Sequence, residues 1–179
     1  MNPIPTPIWK TAAVELFVLQ ETDVTEDYVG WLNNPKVNRF LESRFAVHTR
    51  ESVREFVRGH LLDPASLFCG IRSGARPWKH VGNIKLSPID RNHGLAELGI
   101  MIGDESAWGK GIGTEAIRVM AGIARSELGL RKLVAGSYGS NAGSLIAFQR
   151  AGFETACRLN DHFLLDGKPE PLVLMERLL

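Results

Sequence analysis

Three glycines at alternate positions, Gly109, Gly111 and Gly113, form the segment of this sequence that is best suited to hold a ligand. Glycine has no side chain to keep a ligand away from the backbone, and it accepts positive φ angles. A glycine-rich turn at a helix N-terminus also offers unpaired N–H groups and the positive end of the helix dipole, which suit a phosphate group. Lys110 can add a positive charge. The helix that would follow is indicated by apolar residues at helical spacing, namely Ile117, Met120, Ala121, Ala124 and Leu128.

The glycine spacing differs from that of two common phosphate-binding motifs. The pattern Gly-x-x-x-x-Gly-Lys-Ser/Thr is absent, and the segment is not a Gly-x-Gly-x-x-Gly followed by an acidic residue about 20 positions later. A nucleotide-binding loop of the first kind and a dinucleotide-binding fold are therefore not expected. Taken alone, the segment is also compatible with a loop that only turns the chain.

The segments on either side narrow the interpretation. A strand-like run over 96–103 precedes the loop, another over 132–138 follows the helix, and then come Asn141-x-x-Ser144 and Gly152-Phe153. The block over 93–156 resembles the GNAT superfamily of acetyl-CoA-dependent N-acetyltransferases, and the stretch from Trp108 to Gly113 is similar to its pyrophosphate-binding motif. The residues of this stretch and the Asn-x-x-Ser spacing are most similar to the RimJ/RimL-like branch, which contains the N-terminal acetyltransferases of ribosomal proteins.

This resemblance implies acetyl-CoA as co-substrate and predicts where it binds. Main-chain N–H groups around Met101 and Ile102 would bind the pantetheine or the oxyanion, in a strand bulge flanked by Gly99 and Gly103. For Asn141, a role only as the cap of the following helix is the alternative to capping with contact to the cofactor in addition. The predicted cofactor-binding residues are Met101, Ile102, Trp108, Gly109, Lys110, Gly111, Ile112, Gly113, Thr114, Asn141, Ser144 and Phe148.

Acetyl transfer to an amine also needs a group that removes a proton from the attacking nitrogen. Glu97 is the candidate general base, because it shares a strand face with Gly99 and Met101. A carboxyl group of ordinary pKa, ~4.3, is a weak base for an ammonium, so burial or a relaying water would have to help. His93 and His48 are alternatives with a better intrinsic pKa. The alternative to a catalytic role is that Glu97 is an exposed carboxylate on the strand or forms a salt bridge.

The departing thiolate defines a second catalytic position. The resemblance places a tyrosine four residues after the serine of Asn-x-x-Ser in many family members, but here that residue is Phe148, which cannot donate a proton. Ser144 could hydrogen-bond the sulfur instead, as the RimJ/RimL-like branch suggests, and Tyr138 is a weaker option. A thiolate can also leave without an acid, because its conjugate thiol has a pKa near ~8.5.

The acceptor would be chosen by the first half of the chain. The segment 31–48 is rich in rings, amides and cations, and the predicted substrate-binding residues are Trp31, Arg39, Arg44 and His48. Rings and amides suit a sugar, and arginines suit a phosphate or carboxylate. We therefore expect a small polar amine, with an amino sugar ahead of a protein N-terminus. Packing of Trp31, Phe40 and Phe45 in the core is the alternative.

The pattern of elements predicts an α/β (α+β) fold of the GNAT type. Six to seven strands would form a mixed, mostly antiparallel sheet with helices on both faces. We expect one acetyltransferase domain over 1–179, with an irregular arm over 1–10 and an acceptor-side half over 12–92. The acetyl-CoA-binding core would span 93–156, and a C-terminal hairpin 157–179.

The amino-acid composition limits the classes of partner that we expect the protein to bind. Lys and Arg number 21 and Asp and Glu 20, with no basic block, which argues against nucleic acid. No apolar run reaches membrane-spanning length and no signal peptide is recognised, so we expect a cytoplasmic protein without a membrane partner. No metal is expected, Cys69 and Cys157 are interpreted as buried free thiols, and a homodimer stays open.

Two functions of different classes remain at this point. The first is an acetyl-CoA-dependent N-acetyltransferase that acts by direct attack of the amine. The second is a non-catalytic acyl-CoA-binding or sensing protein of the same fold, which the missing tyrosine at position 148 would favour. The glycine loop, Asn141 and Ser144 favour the enzyme.

Overall fold

The computed structural model describes residues 8–74 and 76–179, and all of its strands belong to one sheet. The eight strands are β1 (Ile8–Lys10), β2 (Glu15–Val18), β3 (Leu67–Ser73), β4 (Lys79–Asp90), β5 (Leu95–Ile102), β6 (Lys132–Tyr138), β7 (Glu154–Leu165) and β8 (Lys168–Leu178). Their order across the sheet is β1-β2-β3-β4-β5-β6-β8-β7. The expected mixed, mostly antiparallel sheet is confirmed, but it has eight strands rather than six or seven.

The additional strand is β1, at one edge of the sheet. The irregular arm predicted for 1–10 is wrong over its last three residues, because Ile8–Lys10 pair with β2; residues 1–7 lie outside the described part. Trp9 packs against the core and its indole N–H donates to Glu127, 118 positions away. Glu127 is so distant along the chain that no local pattern indicates this contact of Trp9.

Five α-helices of the described residues connect and cover the strands. They are α1 (Glu26–Asn33), α2 (Pro35–Asn38), α3 (Arg50–Leu62), α4 (Ile112–Ser126) and α5 (Ala142–Arg150). A short 3-10 turn, Glu42–Phe45, lies between α2 and α3. Thr25 and Thr49 are the N-caps of α1 and α3, and each side chain accepts a hydrogen bond from a backbone N–H of the first turn. Among the described helices none has the length and apolarity needed to cross a membrane.

The helices cover both faces of the sheet, because strand residues alternate between two apolar clusters. On β2, Leu16 belongs to the cluster under α4 and α5, whereas Phe17 belongs to the cluster under α1 and α3, as does Leu19 just after the strand. Buried Cys69 joins the first cluster. Cys157 is exposed on β7, the last strand at one edge of the described sheet, so its predicted burial is wrong.

The one parallel pair, β5 with β6, shapes the centre of the sheet. Its register runs only from Leu95 opposite Lys132 to Glu97 opposite Val134. Beyond these positions β5 pairs only with β4 and β6 only with β8. The facing edges of β5 and β6 are therefore not bonded to each other over 98–102 and 135–138. We call this region the β5–β6 gap.

Candidate active site

The glycine loop ends in a helix start whose backbone requires glycine. Gly109 and Gly111 have φ angles of +72° and +76°, and Gly111 is the N-cap of α4. A side chain in this left-handed region is strained. A Cβ atom added at either glycine would meet no atom within 4 Å, so both positions face open space. The loop is held against β5 by the indole N–H of Trp108, which donates to the carbonyl of Ile102 at 2.8 Å.

The start of α4 leaves backbone donors available. Gly111 has no side chain to cap the helix, and the first helical bond is donated by the N–H of Glu115 to the carbonyl of Gly111. The N–H groups of 112–114 therefore precede the helical ladder, at the positive end of a 15-residue helix. At the start of α5, Asn141 accepts a bond from the N–H of Ser144 at 3.2 Å. Its predicted capping role is thus confirmed.

A cavity of about 580 Å³, here the first cavity, extends from this loop to the end of β5. Of the twelve predicted cofactor-binding residues, Lys110 and Phe148 do not line it. Lys110 is exposed between the two left-handed glycines. Phe148 is 2% exposed and packs on Phe153 in the core, with ring centroids 5.0 Å apart. The other ten line it: Met101, Ile102, Trp108, Gly109, Gly111, Ile112, Gly113, Thr114, Asn141 and Ser144.

Sequence reasoning missed two groups of lining residues. On α5 the first cavity also contacts Gly143, Ile146, Ala147 and Arg150, whose i, i+3, i+4, i+7 spacing could have identified one face of the helix. The second group comes from the segment around α2, namely Lys36, Val37, Phe40 and Leu41. No local pattern connects that segment to the glycine loop, which lies about 70 positions later in the sequence.

The expected strand bulge at Met101 and Ile102 is not where the sequence predicts it. The register between β4 and β5 is continuous from Leu98 to Ile102. One residue later, the N–H groups of Gly103 and Asp104 both donate to the carbonyl of Val81, at 2.9 and 3.0 Å. The irregularity therefore follows the strand, and Met101 and Ile102 reach the first cavity from regular β-structure at the β5–β6 gap.

The residues of the first cavity fit acetyl-CoA. The open left-handed glycines let a large group approach the backbone, and the uncapped N–H groups of α4 suit its pyrophosphate. Apolar walls from Ile100, Ile146 and Ala147 suit its pantetheine arm. Phosphate donors and an apolar channel thus occur in one continuous cavity that ends at the β5–β6 gap.

A second cavity of about 360 Å³ contains Glu97 and residues of β6. It shares one residue, Phe40, with the first cavity. Glu97 is exposed, and its carboxylate makes no hydrogen bond or ion pair with the residues that the structure describes. Lys85 lies opposite Gly99, on the same face of the strand pair as Glu97; burial lowers the pKa of Lys85, and the carboxylate of Glu97 acts in the opposite direction.

Tyr138 and Glu42 lie side by side in the wall of the second cavity. The Tyr138 hydroxyl donates to Oε1 of Glu42, and its ring stacks on Phe163 with centroids 4.2 Å apart. Burial raises the pKa of Tyr138, the bond to Glu42 raises it further, and Arg44 opposes the shift. Tyr138 therefore stays protonated at neutral pH and acts as a hydrogen-bond donor. Sequence reasoning missed Glu42.

The four predicted acceptor residues do not line either cavity. Trp31 packs against the backbone of Gly103, where an added Cβ would lie 2.1 Å from the indole. Arg39 forms an exposed ion pair with Asp166 at 2.9 Å. Arg44 donates to the carbonyls of Leu41 and Leu164, which fixes its side chain against the β7–β8 hairpin.

Both histidines considered as bases lie outside the cavities as well. Nε2 of His48 contacts the carbonyl of Ser43 at 2.8 Å, which ties the segment between α2 and α3 together. His93 is exposed in the β4–β5 turn, where its carbonyl accepts a bond from Arg131. The predicted acceptor residues and the two histidines have partners inside the segment 31–48 or on distant elements. Residue type alone therefore could not show which way each side chain faces.

Comparison with solved structures finds the same fold. Spermidine N-acetyltransferase from Vibrio cholerae, in complex with CoA and spermine, is 20% identical, with a TM-score of 0.83 over 94% of this chain and 96% of that one. RimL, a ribosomal L7/L12 alpha-N-protein acetyltransferase in complex with CoA, is 18% identical, with a TM-score of 0.84 over 97% and 98%. The microcin C7 self-immunity acetyltransferase MccE, with acetyl-CoA and AMP, is 20% identical, with a TM-score of 0.82 over 98% of both chains.

A family model provides the assignment that these distant likenesses cannot. The model described as acetyltransferase (GNAT) domain matches residues 14–154, which is most of the chain. The match includes the glycine loop, α4, α5 and the β5–β6 gap. The protein therefore belongs to the GNAT family of acetyl-CoA-dependent N-acetyltransferases.

Proposed function

We propose that the enzyme acetylates a primary amine that enters through the second cavity while acetyl-CoA occupies the first. The observation that supports this most is the position of the two cavities, which share Phe40 and both contain residues of the β5–β6 gap. An amine in one and a thioester in the other would meet at that gap. Direct attack needs this proximity and alignment.

Glu97 is proposed as the general base. Acetyl-CoA supplies the thioester carbonyl that the amine attacks and the thiolate that leaves. A new C–N bond forms, the C–S bond breaks, and the nitrogen must lose a proton. Glu97 lines the second cavity and has no hydrogen-bonded or ion-paired partner among the described residues, so its carboxylate is free to take that proton, directly or through water.

Ser144 is proposed to stabilise the departing thiolate. It lies at the third position of α5 and lines the first cavity, where the helix N-terminus also favours negative charge. Phe148 has no such access, because it is enclosed in the core. The absence of a tyrosine at 148 therefore gives no support to a non-catalytic acyl-CoA sensor.

For the acceptor, we propose a small polar amine of the amino-sugar kind. The second cavity offers rings, which suit the apolar face of a sugar, together with carboxylate and hydroxyl groups, which suit its hydroxyls. Arg39 and Arg44 have partners elsewhere, so neither is assigned to a phosphate or carboxylate group of the acceptor. A protein N-terminus is the second candidate; the neighbours named for spermidine and for a ribosomal protein show the fold alone.

A screen for CoA release tests the function. The panel contains amino sugars, aminoglycosides, polyamines and peptides with free N-termini, each with acetyl-CoA. We expect turnover of small amines, with amino sugars among the best. Turnover of peptides with none of the sugars would overturn the proposed acceptor. Arg39→Ala and Arg44→Ala then show whether either arginine contributes to peptide binding.

A further inference from the structure

We propose that Glu42 determines acceptor specificity by binding a second positively charged nitrogen of the amine. The inference rests on the proposed function, and it narrows the substrate class to small diamines, either linear or built on a sugar. Its basis is the charge and the hydrogen bonding of the second cavity, whose lining comprises Phe40, Glu42, Glu97, Val134, Ala135, Gly136, Ser137, Tyr138, Phe163, Leu172 and Leu174.

The charged side chains that line the second cavity are all negative. Glu42 and Glu97 are its acidic residues, and the lining includes no lysine, arginine or histidine. The remaining walls are rings, aliphatic side chains and small residues. Such walls suit the carbon skeleton of an amine, and a cation near a ring gains further attraction. Two carboxylates in one apolar cavity therefore suit a ligand with two positive charges and a short apolar spacer.

The surroundings of the two carboxylates differ, which separates their roles. The hydroxyl of Tyr138 donates to Oε1 of Glu42, and Nη1 of Arg44 lies 3.4 Å from the same oxygen. Within residues 8–74 and 76–179, Oε2 of Glu42 accepts no hydrogen bond. One oxygen thus orients the carboxylate, and the other remains available to a ligand. This is a preorganised acceptor of the kind that binds without further ordering.

Arg44 reduces the charge of Glu42 only in part. Its guanidinium is also committed to the carbonyls of Leu41 at 2.9 Å and Leu164 at 3.2 Å, and it lies 5.1 Å from the centre of the Tyr138 ring. These contacts hold Arg44 in place, with a side chain that is 13% exposed against 64% for Glu42. Glu97, near the β5–β6 gap, is left for the nitrogen that becomes acetylated.

The test compares matched amines on the wild type and on Glu42→Gln. The panel contains two matched pairs of amines. The first pair is a linear diamine and the monoamine of equal chain length, and the second is a sugar with two amino groups and the same sugar with one. Glutamine keeps an oxygen that can accept from Tyr138 but removes the charge. We expect the wild type to prefer each diamine in kcat/KM, and Glu42→Gln to reduce this preference by about ten- to hundred-fold, mainly through KM. Glu51→Gln, on the exposed side of α3, is the control for loss of one charge.

A second measurement separates this inference from the proposed function. Calorimetric titration of the diamine into the CoA complex measures binding without turnover. Weaker binding of the diamine to Glu42→Gln than to the wild type supports the inference, even if no amine of the panel is acetylated. The absence of acetylation would refute only the proposed function. Equal diamine-to-monoamine preference in the wild type and the variant, with equal diamine binding, would overturn the inference.

Discussion

At the scale of single residues, the second cavity contains two carboxylates with different surroundings. Glu42 is oriented by Tyr138 and Arg44, whereas Glu97 has no hydrogen-bonded or ion-paired partner among the described residues. A partnered carboxylate is suited to recognition, and an unpartnered one beside the β5–β6 gap is suited to accepting a proton. Ser144, on the first cavity, is suited to the opposite task of donating a hydrogen bond to negative charge.

The role of Glu97 is tested by Glu97→Gln. We expect kcat to fall by about 10²-fold or more, since a positioned general base contributes on that order. The affinity for acetyl-CoA, measured by calorimetry, should stay the same, because Glu97 does not line the first cavity. Glu154→Gln, exposed on β7, is the matched control. A variant with the kcat of the wild type would show that another group removes the proton.

The role of Ser144 is tested by Ser144→Ala. A hydrogen bond to a charged atom is worth enough for kcat to fall about ten- to hundred-fold, while acetyl-CoA binding changes little. The helix cap should survive, because Asn141 accepts from the backbone N–H rather than from the hydroxyl. Ser126→Ala, at the far end of α4, is the control. Unchanged single-turnover rates would assign the hydroxyl a structural role only.

A tyrosine at position 148 should not restore a general acid. The Phe148 side chain is 2% exposed and packs on Phe153, so the added hydroxyl of Phe148→Tyr would enter the core without a partner. We expect no increase in kcat and a loss of about 1–3 kcal/mol in the free energy of unfolding. Urea titration and steady-state kinetics measure the two effects. A faster and equally stable variant would mean that this position reaches the thioester.

At the scale of elements, the site depends on how α4 begins. Gly111 is both the N-cap and a residue with a left-handed backbone, and it lines the first cavity. Gly129 has the same kind of backbone at the other end of the helix, with a φ of +65° and open space around its Cβ direction, but it does not line the cavity. The two glycines therefore separate backbone strain from ligand contact.

This pair gives the prediction for the glycine loop. Gly111→Val and Gly129→Val should each lose at least about 1–2 kcal/mol of unfolding free energy, the cost of a side chain in the left-handed region. Only Gly111→Val should also weaken acetyl-CoA binding, by about tenfold or more, because its side chain would occupy the space in front of the helix N-terminus. Calorimetry and urea titration measure both quantities. Equal loss of affinity in the two variants would place the pyrophosphate elsewhere.

At the scale of the whole molecule, the sheet has one apolar cluster on each face, and His80 packs against the cluster under α1 and α3. Its ring lies 5.2–5.8 Å from the rings of Phe17, Tyr28 and Trp31, which join α1 to the sheet. Burial lowers the pKa of His80, although bonds to Asn83 and to the carbonyl of Gly82 oppose the shift. The folded state therefore favours the neutral ring.

This shift predicts a loss of stability in acid. Since the unfolded chain binds the proton more readily, the free energy of unfolding should fall as the pH drops below about 6.5, by at most about 1.4 kcal/mol per pH unit for this group. His60 contributes in the same direction, because burial lowers its pKa as well. Urea titrations between neutral pH and pH 5 should show a shallower dependence for His80→Gln than for the wild type. His162→Gln, exposed on β7, is the control, and equal slopes in the two variants would contradict the prediction.

The parts of this protein that depend on neighbouring residues follow from the amino-acid sequence alone. The glycine loop, the helix that follows it and the cap at Asn141 were predictable because positive φ angles, helical spacing and N-caps act over a few positions. Ten of the predicted cofactor-binding residues line the first cavity for the same reason: they belong to short segments placed together by the strand–helix–strand order.

Which residues of the first half line the second cavity depends on contacts between distant parts of the chain. The segment around α2 and the Glu42–Phe45 turn is held against the β7–β8 hairpin by Arg39 with Asp166 and by Arg44 with Leu164, across 127 and 120 positions. These contacts turn Phe40 and Glu42 towards the second cavity and both arginines away from it. Side-chain type cannot show this, because a ring or a charge is equally suited to a ligand and to a distant partner within the chain, and long-range packing selects between them.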